Sequence, residues 1–217
     1  MTGVDARFRE AVVEMLDSAP DGILPIVQAG APVLRNPAVR YSGQLGDVLP
    51  RLLEAMRRTM HAAPGVGLAA PQIGIGLAIA VVEDAGAPDE DSRERLPLPY
   101  RVLVNPRYEP VAGPDGAEER VAYFEGCLSV SGWQAVVARH RRVRLTCQDE
   151  AGAAVDEVLT GWPARIVQHE IDHLKGELYL DHAVSRSLTS NDNLERYWAV
   201  SGPDPAPAAQ ALGFRLP

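Results

Sequence analysis

The sequence predicts an α+β fold in which antiparallel β-sheets pack around one central helix, with a helical region before them. Five short segments between residues 101 and 161 are rich in β-branched residues and are separated by Gly, Pro or Asp, as strands joined by turns would be. Amphipathic helical patterns lie before and after these segments and do not alternate with them. This order favours an α+β fold over an alternating α/β fold.

Length and composition limit the class of protein. The chain has 217 residues, of which 46% are hydrophobic, enough for one large domain with a proper core. With 21 Lys and Arg against 29 Asp and Glu, the net charge is -8, which gives no general attraction to nucleic acid or anionic membrane. The first residues lack an apolar signal segment, and no run of 18 apolar residues occurs. These features are typical of a soluble cytoplasmic protein.

The first elements have a helical rhythm. Residues 4–16 place Phe8, Val12 and Leu16 on one side, and residues 46–63 carry a stripe of Leu and Met that predicts a second helix with a buried face. The stretch at residues 63–74 is too rich in Gly and Pro for a helix interior, and residues 77–83 predict a buried strand. The second helix's apolar stripe consists of Leu49, Leu52, Leu53, Met56 and Met60.

Residues 84–99 are acidic and rich in proline, which predicts a solvated loop without chemistry. The strands RVLVNP, RVAYFEG, WQAVVAR, RVRLTCQD and AAVDEVLTG follow, and then a predicted helix over GWPARIVQHEIDHLKG, bounded by Gly161 and Gly176. The tail after residue 200 fits no long regular element, so we expect a loosely packed end. Domain boundaries are expected at residues 1–20 (helical extension), 21–190 (catalytic domain) and 191–217 (tail).

The last predicted helix contains an HExxH pattern. A helix places His169 and His173 on one face, where both can bind a metal, with Glu170 beside them as a base. A buried pair of core histidines is the alternative, but buried polar groups without partners cost several kcal/mol. The sequence therefore favours a central metal-binding helix.

The third ligand decides the chemistry of such a site. The pattern HExxHxxGxxH fails because residue 179 is Tyr. Glu195 would complete a thermolysin-like peptidase site, and Cys127, between Gly126 and Leu128, would complete a Cys-His-His site. A closed, purely structural metal site would need a fourth protein ligand, for which His182 is nearest in sequence. The other cysteine, Cys147, is expected to be a buried small hydrophobe.

Three separated stretches together resemble the signature motifs of the peptide deformylase family. They are GVGLAAPQ at residues 65–72, EGCLS at 125–129 and QHEIDH at 168–173, in the family's order and at compatible spacings. The resemblance implies an α+β fold and removal of the formyl group from new chains that begin with formyl-methionine.

The resemblance also implies roles for individual residues. Cys127, His169 and His173 would hold one divalent metal ion, with water as the fourth ligand, and Glu170 would accept and return a proton. Fe²⁺ is the expected ion in the cell, and Zn²⁺, Ni²⁺ and Co²⁺ are alternatives because a thiolate and two imidazoles suit several ions. The side-chain amide of Gln72 and the backbone N–H of Leu128 would stabilise the oxyanion. The substrate's methionine and the residues after it would lie near Val66, Gly67, Tyr123, Glu125, Trp162 and Arg165.

Two further expectations concern partners and departures from the family. The implied partners are N-formylmethionyl peptides and nascent chains, with transient ribosome association and no direct binding to DNA or membrane. Ribosome docking in the family has been linked to a basic carboxyl-terminal helix, whereas ALGFRLP has a single arginine. Ser131 stands where family members commonly have proline, and Glu125 is also a candidate structural acid that anchors its loop through Arg139.

Overall fold

Two antiparallel sheets and one long buried helix organise the chain, which the computed structural model describes over residues 3–87, 91–199 and 202–216. The strands are β1 (Gly67–Ala69), β2 (Ile79–Asp84), β3 (Leu98–Pro110), β4 (Arg120–Cys127), β5 (Val130–His140), β6 (Arg142–Gln148), β7 (Ala154–Thr160) and β8 (Thr189–Ser190). The α-helices are α1 (Ala6–Asp17), α2 (Leu49–Ala62), α3 (Gly161–Lys175), α4 (Tyr179–His182), α5 (Asn191–Asn193) and α6 (Ala206–Leu212).

The strands divide into a five-stranded sheet of order β1-β2-β3-β6-β7 and a three-stranded sheet of order β4-β5-β8, with every pairing antiparallel. β4 and β5 form a tight hairpin in which Cys127 lies opposite Val130, and the register shifts between Gly126 and Cys127. The predicted α+β class with antiparallel strands is therefore confirmed.

Helix α3 lies between the two sheets, because it packs against β1, β2, β3, β6 and β7 of one sheet and β5 of the other. It is buried along most of its length, including Ile166, Val167 and Ile171. The helix ends at Gly176, which takes a left-handed backbone with φ 84° and donates its N–H to the carbonyl of His173, as glycine C-caps do. The residues that carry the HExxH pattern are thus fixed inside the molecule.

The amino-terminal helices cover one face of the larger sheet. Asp5 caps α1 by accepting a hydrogen bond from the Phe8 N–H at 3.1 Å. Val12 and Leu16 of α1 are buried in the same apolar cluster as the Leu and Met stripe of α2, so the two predicted helices are confirmed. The boundaries predicted for an extension, a catalytic domain and a tail stay predictions.

The tail differs from the expectation of a loosely packed end. Residues Ala206–Leu212 form α6, in which Ala208 and Ala209 are buried, and the Arg186 Nε donates a hydrogen bond to the Leu212 carbonyl. Alanine has the highest helix propensity and needs little room to pack, which the pattern of larger apolar residues does not register. Residues 200, 201 and 217 of the tail lie outside the described residues, as do 88–90 of the acidic loop. None of the helices described combines the length and apolar character needed to cross a bilayer.

Candidate active site

The end of β4 and the middle of α3 bring a thiol and two imidazoles together. Sγ of Cys127 lies 3.2 Å from Nε2 of His173, and one ligand atom from each of Cys127, His169 and His173 lies within 4.8 Å of the others. The two imidazole rings stand edge to face, with centroids 4.9 Å apart. Burial lowers the pKa of His173 well below its ordinary value, which keeps its ring neutral, the form that binds metals. One sulfur and two nitrogen donors at this spacing fit a divalent transition metal.

Glu125 holds His169 from behind. Nδ1 of His169 lies 2.6 Å from Oε1 of Glu125, which leaves Nε2 free to face the other two donors. Burial by itself would raise the pKa of Glu125, but Arg139 and His169 hold that pKa well below its usual range. A carboxylate hydrogen-bonded to the far nitrogen of a histidine fixes the ring's tautomer and orientation.

Two buried arginines complete this support. The Nη2 of Arg139 donates to Glu125 at 2.7 Å, and Nη1 of the same guanidinium donates to Asp172. The Nη1 of Arg165 donates to Glu125 at 2.9 Å, and its Nη2 donates to the Val121 carbonyl at 2.6 Å. Glu125 therefore anchors its loop through Arg139, the structural role proposed from the sequence. The guanidinium of Arg165 is 4% exposed and engaged by protein groups, so its predicted contact with substrate stays a prediction.

Glu170 lies in an apolar, closed environment next to the donors. It is 3% exposed, and its Oε2 has no hydrogen-bond partner among the described residues. Burial raises its pKa to about 7, near the value that suits a general base at neutral pH. The side chain occupies space beside Gly67, where a Cβ would lie only 2.6 Å from the Cδ of Glu170.

Gln72 points its amide nitrogen toward the same cluster. Its Oε1 accepts a hydrogen bond from the Ala69 N–H at 2.8 Å, and its Nε2 lies 3.6 Å from Sγ of Cys127 and 3.4 Å from Oγ of Ser129. The side chain is 1% exposed. Fixing the amide oxygen fixes the orientation of the NH₂ group, so a donor is held beside the thiol before any ligand arrives.

These side chains line one cleft of about 490 Å³. Its walls come from the segment before β1, the β4–β5 hairpin and the first half of α3. Of the residues predicted from the sequence, the cleft contains Val66, Gly67, Gln72, Glu125, Cys127, Leu128, Trp162, Arg165, His169 and Glu170. The arrangement can bind an extended chain and present a carbonyl to a base and an oxyanion donor.

Comparison with known proteins decides the family. The sequence model of the polypeptide deformylase family matches residues 23–188. Peptide deformylase 1 of Streptomyces coelicolor is 60% identical over 212 residues, covering 96% of this chain and 93% of that protein. The chain belongs to the polypeptide deformylase family. It is therefore an enzyme, a metal-dependent hydrolase that removes N-terminal formyl groups from peptides.

More distant relatives agree with this deformylase assignment. The peptide deformylase of Bifidobacterium adolescentis is 49% identical over 217 residues, covering 98% of this chain and 97% of that protein. A crystal structure of a class I type b peptide deformylase from Acinetobacter baumannii, with Met-Ala-Ser bound, has a TM-score of 0.64 and 34% identity. It covers 74% of this chain and 98% of the Acinetobacter chain. The recognition made from three motifs is confirmed.

Some residues of this deformylase differ from their predicted places. Tyr123 does not line the cleft; it borders a neighbouring cavity of about 290 Å³, because its hydroxyl donates a hydrogen bond to the Ser92 carbonyl at 2.7 Å. Glu195, the ligand of the thermolysin-like alternative, is exposed and belongs to neither of the two potential metal-ligand groups found among the described residues.

The second of those groups consists of Asp172, Glu177 and His182. His182 contacts Glu177 at 2.9 Å and Asp172 at 3.4 Å, so it supports the end of α3 and is not a fourth ligand of the Cys-His-His cluster. Cys147 is buried, and burial raises its pKa to about 11, which agrees with its expected inert role.

Sequence reasoning missed the contribution of the acidic loop. Arg93 lines the cleft, where its guanidinium lies 4.7 Å from the centre of the Trp162 ring. The backbone carbonyl of Glu94 accepts a hydrogen bond from the Trp162 N–H at 3.3 Å. Composition marked this loop as solvated, and only the tertiary contact with the start of α3 makes it part of the cleft.

Proposed function

We propose that this deformylase holds one divalent metal ion on Cys127, His169 and His173 and uses Glu170 as the general base and acid of deformylation. The observation that carries the proposal is the Cys-His-His cluster, with the buried Oε2 of Glu170 unpartnered beside it. A bound ion would supply the Lewis acidity that amide hydrolysis requires. The cluster fits Fe²⁺, which we propose as the ion in the cell, and also Zn²⁺, Ni²⁺ or Co²⁺.

Glu170 moves the protons of the reaction. Its pKa of about 7 leaves much of the carboxylate ionised at neutral pH, so Oε2 can accept a proton from the attacking water. Attack at the formyl carbon breaks the bond between that carbon and the methionine nitrogen. The carboxylic acid then returns the proton to that nitrogen, which leaves as an amine while formate is released.

Gln72 and Leu128 stabilise the oxygen that becomes negative during attack. The Nε2 of Gln72 is preoriented through the Ala69 bond to its amide oxygen, and the Leu128 N–H belongs to the turn that follows Cys127. A preorganised donor of this kind contributes about 3 kcal/mol to the stabilisation of a transition state.

The substrate would lie extended in the cleft with its methionine side chain between Val66 and Trp162. Gly67 offers backbone at a place where a side chain would collide with Glu170, which allows close approach of a peptide. The Acinetobacter relative with Met-Ala-Ser bound supports a formyl-Met peptide as the ligand. Nascent chains, transient ribosome contact, a cytoplasmic location and the lack of DNA binding complete the proposal.

Three peptides test this function. Metal-loaded enzyme is mixed with formyl-Met-Ala-Ser, acetyl-Met-Ala-Ser and Met-Ala-Ser, and formate and new amino termini are measured. We expect formate release from the first, very slow hydrolysis of the second and no cleavage of the third, because an added methyl in a tight pocket costs about 1–3 kcal/mol. Cleavage of internal bonds at a rate comparable to deformylation would contradict the proposal and favour a peptidase.

A further inference from the structure

One extended segment, residues 26–29, ties the two sides of the oxyanion site together. The Val27 N–H donates to the Gln72 carbonyl at 2.9 Å, and the Ala29 N–H donates to the Ser129 carbonyl at 2.7 Å. The segment therefore spans from the residue that presents one donor to the turn that presents the other. Gln28 lies between these two backbone bonds.

The side chain of Gln28 grips that turn at two points. Its Nε2 donates to the Leu128 carbonyl at 3.0 Å and to the Ile26 carbonyl at 3.3 Å. Its Oε1 accepts a hydrogen bond from the Ser131 N–H at 3.2 Å, and the Ser131 Oγ also donates to the Leu128 carbonyl at 3.2 Å. Gln28 is exposed, so these bonds do little for the core and act on the turn alone.

We infer that Gln28 is a positioning residue that fixes the backbone of Leu128, so that its N–H stays aimed at the developing oxyanion; the inference rests on the proposed function. The carbonyl and the N–H of Leu128 flank the same Cα, so holding the carbonyl restricts the rotations that would redirect the N–H. Donors fixed before the reaction stabilise a transition state without reorganisation.

The residue at position 131 makes the clamp possible. Proline, common in the family at this position, has no N–H and would fix the backbone φ by its ring. Ser131 supplies the N–H that Gln28 accepts, and this N–H is directed at Gln28 and not at β4. Hydrogen bonding thus replaces in this chain a restraint that the proline ring provides elsewhere.

Gln28→Ala tests the inference, with Gln44→Ala as its matched control. Gln44 makes the same pair of bonds in a loop that does not line the cleft: its Nε2 donates to the Arg40 carbonyl at 2.8 Å, and its Oε1 accepts from the Ser42 N–H at 2.7 Å. With formyl-Met-Ala-Ser, we expect Gln28→Ala to lower kcat about fivefold, equivalent to about 1 kcal/mol. KM should change less than twofold, and metal content and Tm should match the wild type. Gln44→Ala should keep wild-type kcat.

A double-mutant cycle with Ser131→Pro separates positioning from a general loss of structure. The proline restrains the turn covalently, so Gln28→Ala should cost less than twofold in kcat in that background. Amide exchange at residues 128–131 should rise in Gln28→Ala and not in the double variant. An unchanged kcat, a loss confined to KM, or the same fivefold loss in both backgrounds would overturn the positioning role. A wild type that releases no formate would overturn the proposed function as well, whereas the other outcomes leave that function standing.

Discussion

Gly67→Ala is the sharpest single test of how the site is built. A Cβ at this position would lie 2.6 Å from Cδ and 2.8 Å from Cγ of Glu170, and closer still to its Oε1. Carbon atoms rest at about 3.5–4.0 Å from one another, so the carboxylate must move by about 1 Å. Glu170 is 3% exposed, and its closed surroundings resist that movement. A misplacement of 1 Å typically costs about 10²-fold in rate, and overpacking costs about 1–3 kcal/mol in stability.

The matched control is Gly76→Ala, because a Cβ at Gly76 would meet nothing within 4 Å. Formate release, metal content and urea unfolding are measured for both variants. We expect Gly67→Ala to bind one ion and to lose about 10²-fold in kcat, while Gly76→Ala stays close to wild type. A Gly67→Ala enzyme whose kcat is normal and whose KM alone is raised would refute the reasoning, since the methyl group would then block substrate and leave the base in place.

The remaining predictions concern the base and the two cysteines. Glu170→Gln should lower kcat at least 10²-fold and keep the metal; loss of the ion would contradict its role as a base. Burial raises the pKa of Glu170 from 4.5 to about 7, so in the metal-free protein its stabilising contribution is full below pH 4.5 and is lost as pH rises through 7. Urea unfolding of wild type should therefore weaken relative to Glu170→Gln by about 3 kcal/mol between pH 4.5 and pH 8, and parallel pH profiles would disprove this. Cys127→Ser should lose metal, measured by elemental analysis, because a hydroxyl is a poorer ligand than a thiolate; full stoichiometry would count against the ligand set. In metal-free protein a thiol reagent should label Cys127 quickly and Cys147 slowly, since burial raises the pKa of Cys147 to about 11; equal labelling rates would exclude that difference.

Local patterns were sufficient to predict most of the regular structure. The apolar stripe of α2 and the β-branched segments of β4 to β7 are periodic signals that burial on one face imposes. The end of α3 was readable from Gly176, because a left-handed backbone favours glycine. Helix α6 was missed because its buried residues are alanines, whose size gives no hydrophobic stripe.

The ligand set came from motif resemblance, and its supporting residues came partly from chemistry. Glu125 was read both as a substrate neighbour and as a structural acid, since spacing cannot tell which buried arginine will reach it. Long-range contacts such as Arg165 with Glu125, 40 residues apart, and Gln28 with Leu128, 100 residues apart, leave no periodic signal. Each depends on where the sheets bring distant segments together.

Two buried carboxylates on α3 explain why a motif alone does not define a base. Glu170 and Asp172 are two residues apart, so they point to different sides of the helix, and they are 3% and 2% exposed. Asp172 faces the guanidinium of Arg139 and the ammonium of Lys175, and this pairing commits it to structure. Glu170 makes no ion pair among the described residues and faces the space left by Gly67, where burial holds its pKa at about 7. Environment therefore separates a proton carrier from a structural anion on one helix, and moving an arginine next to Glu170 would convert the first into the second.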